Sequence, residues 1–447
     1  MTNPMNTFQG DLWPAGQLDF YVRHLKSSLL SFWLGRSVDE QYGGFYTCFD
    51  NEGRNLLSQD KFTWSQGRIV WIWAKLAGMG VFTSAERQRF AGLARSGAAF
   101  LMEHCLLPNG NCAFVLSREG APKAQAPGMP LDSSIYADCF VILGLSRYAG
   151  LSGDSAAMDF ALRLHGSVVR RVEAGTFNSE PYPIPSGYQP HGIPMILLNT
   201  SQELANGLEA LGRGEAGAVR QAADGYARHI LSQFVSPDGS LHEYIKSGGD
   251  FDHESLLGRH ANPGHTIEDM WFVMHQVLEG KDAGLAKATI AKAGEVIKRA
   301  FQIGWDQEFG GLLHFADQDG GAPRGSTAGM EGARVVVHAQ EQVLSGWGDK
   351  LWWVHSEALY ATLLAYRLTA DASLLALYQK AFDYTFATFP NPDPAIGEWI
   401  QIRDRQGRPQ QKVVALPVKD PFHIMRDVAL IIELPNDDLH SEQEHKT

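Results

Sequence analysis

Asn262-Pro263-Gly264-His265-Thr266-Ile267-Glu268-Asp269-Met270-Trp271-Phe272 is where the chain passes from turn chemistry into a helix. Proline fixes φ and glycine admits positive φ, so Asn-Pro-Gly closes an extended segment. From there Ile267, Met270, Trp271 and Met274 recur at helical spacing as one apolar face. His265 and Glu268 share the first turn. A helix start offers unpaired N–H groups and a positive partial charge, which keeps His265 neutral and able to accept a proton. Glu268 is placed to hold the ring by a hydrogen bond. A histidine that only caps its own helix is the competing reading of this stretch taken alone.

On both sides of this stretch one glycine-and-aromatic element recurs. It reads GGFYTCFDNEG at 43–53, NGNCAFVLSREG at 109–120, DGSLHEYIKSGG at 238–249, GGLLHFADQDG at 310–320 and GEWIQIRDRQG at 397–407. Each alternates apolar and polar residues and ends in a glycine turn, which is the pattern of a hairpin or of a strand with its turn. A sixth place, 176–192, has become a Pro-rich loop. Helical patterns fill the intervals in pairs. The members with a polar side fall near 15–35, 85–106, 153–174, 214–235, 281–303 and 372–388; the more apolar ones fall near 62–78, 132–149, 195–211, 265–279, 351–369 and 421–434. Six outer and six inner helices in strict alternation predict an all-α (α/α)6 barrel, with short hairpins at one end and an open solenoid as the alternative. No linker divides the chain, so 1–435 reads as a single domain and 436–447 as a solvated acidic tail.

The totals exclude several roles. The 447 residues carry a formal net charge of -12, which argues against nucleic acid or an anionic membrane as partner. No apolar run reaches a membrane span, and the N-terminal stretch lacks the basic and apolar regions of a signal peptide. The four cysteines (Cys48, Cys105, Cys112, Cys139) have neither metal spacing nor a disulfide framework, so free thiols in a reducing cytoplasm are expected.

In such a barrel the inner helices all start at one end, and their first turns converge on one pocket. Those turns carry Trp64, Arg68, Asn199, His265, Glu268, Trp352, Trp353, His355, Glu357, His423 and Arg426, with Phe114 expected to overhang from a hairpin. Aromatic faces beside hydrogen-bonding groups suit a sugar, which presents apolar C–H faces and polar edges.

With these residues in view, the chain resembles the N-acylglucosamine 2-epimerase family, which also holds mannose isomerases, sulfoquinovose isomerases and cellobiose epimerases. The resemblance runs from about 40 to 430 and rests on seven motifs in order: GGFYTCFDNEG with KFTWSQGRIVWIWAKL, CAFVLSREG, GIPMILLNTSQEL, GRHANPGHTIEDMWF, KLWWVHSEALYATLLAY, GEWIQIRDRQG and FHIMRD. It implies the same (α/α)6 barrel. It implies His265 and His423 as the catalytic pair, and substrate-binding positions at Trp64, Arg68, Phe114, Asn199, Arg259, Glu268, Trp353 and His355. Asn199 stands where the cellobiose epimerases carry a third active-site histidine, which aligns the chain with the acylglucosamine epimerases. Residues 317–346 are longer than the family's usual connection, and their six glycines suggest a mobile loop over the pocket mouth. The resemblance implies a small-molecule monosaccharide as partner, admits a homodimer, and calls for no cofactor. Nucleotide activation, seen in some acylglucosamine epimerases, has no Walker-type loop here to read.

The chemistry follows from C2 of an open-chain aldose, whose proton is acidic because the C1 carbonyl takes up charge as an enediolate. A histidine is suited to remove it near neutral pH. Two histidines on opposite faces, His265 and His423, serve 2-epimerisation between N-acylglucosamine and N-acylmannosamine. Return of the proton to C1 would instead give an aldose–ketose isomerase acting on mannose and fructose. Arg68 is the candidate for the developing oxyanion. His355 is expected to bind a hydroxyl or assist ring opening, and Glu357 to bind substrate or orient its neighbours. His265 with Glu268 as metal ligands, an inverting glycosidase with two carboxylates, and a non-catalytic sugar-binding module are the readings ranked below. His104, His191, His229, His242, His253, His260, His314 and His338 carry no motif and are read as ordinary.

Overall fold

Helices that are apolar on every side have to be buried on every side. Thr63–Ala77 meets that condition, with all its residues buried. In the computed structural model residues 16–280, 282–327 and 334–434 are described, without the side chains of 334–337. The acidic tail at 436–447 and the N-terminal stretch through residue 15 lie outside the described residues. The first element, α1, runs as Gln17–His24, a π turn at Leu25–Leu29 and Leu30–Arg36. It is followed by α2 (Thr63–Ala77), α3 (Ser84–His104), α4 (Ile135–Ser152), α5 (Ser155–Glu173), α6 (Gly192–Ala210) and α7 (Ala216–His229). Then come a short α8 (Leu256–Arg259), α9 (Pro263–Leu278), α10 (Ala283–Gly304), α11 (Arg334–Gly346), α12 (Trp352–Thr369), α13 (Ala372–Thr388) and α14 (Phe422–Glu433).

The inner ring is α2, α4, α6, α9, α12 and α14, each packed on the next, and α14 returns to pack on α2. That last contact makes the architecture a closed barrel rather than an open solenoid. The outer helices close as well, because Phe20 and Tyr21 of α1 pack on Phe382 and Phe386 of α13, and the Tyr21 and Tyr378 hydroxyls are hydrogen-bonded at 2.9 Å. Two glycines set the distance between α2 and α4. A Cβ on Gly67 would lie 2.2 Å from the Phe140 carbonyl oxygen, and one on Gly144 would lie 2.3 Å from that of Gly67. Backbone meets backbone there, so neither position has room for a side chain.

The recurrent glycine elements pin the inner helices at their starts. Lys61–Phe62 and Lys350–Leu351 run directly into an inner helix, and His260–Ala261 does so after the capping Asn262. In that order they pair with Val115–Leu116, Ile402–Arg403 and Ala316–Asp317 of the recurrent element that follows in the chain. The Pro-rich sixth place also supplies a strand, Tyr188–Pro190, paired with Tyr244–Lys246. One expectation is corrected. The 317–346 connection is not a loop throughout, because its second half is the helix α11, whose Ala339 and Val343 pack on Leu257, Leu256 and Phe315. Most of its glycines precede residue 334, so the glycine count described the first half only; residues 328–333 lie outside the described residues.

Candidate active site

The N-terminal turns of the inner helices meet around a cavity of about 1020 Å³, counting the solvent at its mouth. Trp64 and Arg68 come from α2, Asn199 from α6, His265 and Glu268 from α9, Trp352 and Trp353 from α12, and His423 and Arg426 from α14. Tyr136 and Phe140 of α4 and Tyr182 of the Pro-rich loop complete an aromatic wall. Trp64 packs against Phe140 with ring centroids 4.9 Å apart. The Arg68 guanidinium lies 4.1 Å from the Phe140 ring centroid and is ion-paired with Asp420. Trp353 touches both histidines, its centroid 5.3 Å from His265 and 5.6 Å from His423. Its helix α12 stands between the helices that carry them.

His265 enters the cavity because Asn262 caps α9 by accepting from the His265 backbone N–H at 3.2 Å. Its side chain is 26% exposed. Its Nδ1 donates to Glu243 Oε2 at 3.0 Å, which leaves Nε2 without a described partner. Glu243, not Glu268, therefore holds the ring, because the DGSLHEYIKSGG element at 238–249 swings its glutamate under α9. Burial works against the Glu243 carboxylate, but His265 and His191 outweigh it and hold the group well below the usual carboxylate range. His191 continues the line, with Nδ1 3.7 Å from Glu243 Oε1 and Nε2 bonded to Asp269 Oδ2 at 2.9 Å. Burial would depress His191, yet its two carboxylate neighbours push it up to about 9.

His423 is supported in the same way. Its Nδ1 donates to Glu357 Oε1 at 2.7 Å, and the second oxygen of Glu357 accepts from Trp271 Nε1 at 2.7 Å. Burial holds His423 down at about 3, so its resting ring is neutral and free to take a proton. Arg426 bonds to both Glu268 and Glu357. Glu268, Glu357 and His423 could offer metal donors, since one atom from each lies within 4.8 Å of the others. The Arg426 guanidinium already sits where such a cation would, and neutralises both carboxylates. His265 and Glu268 do not form a ligand pair, because each is engaged by a different partner.

Trp64, Arg68, Asn199, His265, Glu268, Trp353 and His423 thus come together on one cavity wall as expected. Four expected residues do not. Phe114, in the bend just before the Val115–Leu116 strand, is buried in the core against Phe62 at a centroid distance of 5.7 Å; the overhang comes instead from 414–420, through Val414, Leu416 and Val418. Arg259 is held by Asp317 and Asp319, where it ties the start of α9 to the next recurrent element. His355 is fully buried, donating from Nδ1 to the Leu351 carbonyl at 2.7 Å and accepting the Leu312 N–H on Nε2 at 3.0 Å. Both its nitrogens are occupied, and burial lowers it to about 3. Glu357 lies behind His423 and orients it. Sequence reasoning passed over Glu243, His191, Asp420, Tyr136 and Tyr182. Glu243 sits in a recurrent element and Asp420 just before α14, so position was the available signal; His191, read as ordinary, had none.

The family model described as N-acylglucosamine 2-epimerase (GlcNAc 2-epimerase) matches residues 44–426. The N-acylglucosamine 2-epimerase of Homo sapiens is 32% identical over 415 residues, covering 91% of this chain and 87% of its own. That of Bos taurus is 30% identical over 412 residues, covering 91% and 89%. Among solved structures, a sugar epimerase from a ruminal bacterium has a TM-score of 0.72 at 18% identity, covering 93% of this chain and 98% of its own. A D-mannose isomerase has a TM-score of 0.71 at 16% identity, covering 95% and 100%. At these identities the two structures share the fold alone.

Proposed function

Because this chain belongs to the N-acylglucosamine 2-epimerase family and is an isomerase of the racemase and epimerase kind, we propose that it interconverts N-acyl-D-glucosamine and N-acyl-D-mannosamine at C2. The observation that carries the reading is the pairing of His265 and His423 in one cavity. Each is anchored through Nδ1 on a carboxylate, and each has Nε2 without a partner among the described residues. A carboxylate on Nδ1 fixes the tautomer that leaves Nε2 as the proton acceptor.

In the open-chain sugar one histidine takes the C2 proton on Nε2. The C–H electron pair becomes the C1–C2 double bond of an enediolate, and the C1 carbonyl oxygen takes the negative charge. Arg68, at the wall beside Trp64, is the group to stabilise that oxygen. The second histidine, which enters the step as the imidazolium with a proton on Nε2 as well as Nδ1, delivers the Nε2 proton to the opposite face of C2 and is left neutral. Trp353, in contact with both rings, keeps them from rotating and offers a flat face to the sugar's C–H surface. Asn199 lines the cavity without a described hydrogen-bond partner and is left for a substrate hydroxyl. The ketol-isomerase alternative has only the fold-level likeness of a D-mannose isomerase behind it.

Proton NMR in D2O with N-acetylmannosamine tests the proposal. Deuterium should enter C2 as the epimer appears. His265→Ala and His423→Ala should each slow epimerisation by roughly 10²- to 10⁴-fold, the range for loss of a general base. Each should also keep exchange at C2 of one epimer, served by the histidine that remains. Wild-type-like epimerisation in either variant removes that residue's role; ketose formed from mannose, with the amino sugars untouched, removes the epimerase reading.

A further inference from the structure

His265 separates the main cavity from a second compartment on its far side, of about 590 Å³ counting the solvent at its mouth. The two share Tyr136, Tyr182 and Gly192 as well as His265. The compartment's walls are the rings of Tyr136, Tyr182, Tyr244 and Phe315, and its roof is Ala339 and Val343 of α11. α11 packs on small satellite clusters rather than on the main core. Gln342 of α11 donates to the Pro181 carbonyl at 3.2 Å, tying this roof to the loop that carries Tyr182.

The polar groups of the compartment point to a ligand. The hydroxyls of Tyr136, Tyr182 and Tyr244 have no hydrogen-bond partner among the described residues, although Tyr136 is buried and its phenol is within electrostatic reach of the other two. Each hydroxyl is therefore free to donate to a molecule that enters the compartment. Burial raises all three phenols, Tyr182 to about 12, so they remain donors. The site therefore offers O–H donors for a carbonyl oxygen next to apolar walls for a short carbon chain.

We propose that this compartment receives the acyl group on the C2 nitrogen, with the phenols around its carbonyl and the chain under α11. The assignment rests on the epimerase reading. A carbon whose proton is taken by His265 must carry its other substituent beside His265, and the compartment opens there. The space exceeds what a two-carbon acetyl group fills, so longer acyl chains are substrates too, and α11 sets their upper length.

The test is kcat/KM for N-acetyl-, N-propanoyl- and N-butanoyl-mannosamine with the full-length protein. The wild type should keep all three within about tenfold. Val343→Phe, which fills the roof, should lose activity in proportion to chain length, with at least a tenfold greater loss on butanoyl than on acetyl. Tyr182→Phe, which removes only a hydroxyl, should weaken all three alike, since the carbonyl is common to them. If Val343→Phe fails to fold, Ala339→Leu fills the same roof with less bulk. A wild type that rejects the propanoyl sugar, or losses independent of chain length in the filled variants, overturns the assignment while leaving the epimerase reading intact. A wild type that exchanges C2 in no N-acyl sugar removes both.

Discussion

Replacing Glu357 by Gln changes no volume but reverses the polarity of one of two oxygens that both accept. Oε1 takes the His423 Nδ1 proton at 2.7 Å and also a bond from Arg426; Oε2 takes the Trp271 Nε1 proton at 2.7 Å. A glutamine has one oxygen and one NH2, so whichever way it is turned, a donor faces a donor. Turned toward His423, the NH2 favours the tautomer that accepts at Nδ1 and carries its proton on Nε2. Nε2 is the atom proposed to accept the C2 proton. A hydrogen bond to a charged group contributes about 1.5–3 kcal/mol. At about 1.4 kcal/mol per tenfold, the competent tautomer falls by roughly 10- to 150-fold. Because Glu357 lies behind His423 and not on the cavity wall, the loss should appear in kcat, with KM within about twofold. Steady-state kinetics with both epimers, together with C2 deuterium exchange, reads this directly. A Glu357→Gln enzyme with kcat within twofold of wild type, or one whose whole defect is in KM, would refute the tautomer argument.

The buried His191 bears on stability. Its partners raise it to about 9 from an unfolded value near 6.5, so its contribution is complete below pH 6.5 and is lost as pH rises through 9. That interval corresponds to about 3 kcal/mol, and urea unfolding at pH 7 and pH 10 should show a fall in the wild type that His191→Gln lacks. His355→Phe tests a structural residue: with the Leu351 carbonyl and Leu312 N–H left unpaired, unfolding free energy should fall by roughly 2–5 kcal/mol while KM stays unchanged. A tenfold rise in KM would restore His355 to a sugar contact.

The strict alternation of polar-sided and fully apolar helices, punctuated by glycine turns, was legible because periodicity and turn chemistry are local properties. The same holds for the site residues on inner-helix starts: once the helices are parallel, Trp64, Arg68, Asn199, His265, Trp353 and His423 must converge. Reading failed where orientation mattered. Phe114 and His355 sit at the expected positions along the chain but turn into the core, and a single residue beside a strand or in a helix can face either way without changing the pattern around it. Arg259 was misread because its partners, Asp317 and Asp319, lie some sixty residues on.

From the sequence alone came the helix inventory, the repeat, and the identity of the groups able to move a proton. Only the tertiary structure decided that the ring closes, since closure is the packing of α14 on α2 across the length of the chain. It also decided which carboxylate serves which histidine. Glu268 is one helical turn from His265 and yet bonds to Arg426, while Glu243, from the recurrent element at 238–249, takes the ring. A buried guanidinium must satisfy its charge, and two carboxylates within its reach do so better than water could. That competition is settled in three dimensions, where distance along the chain has no weight.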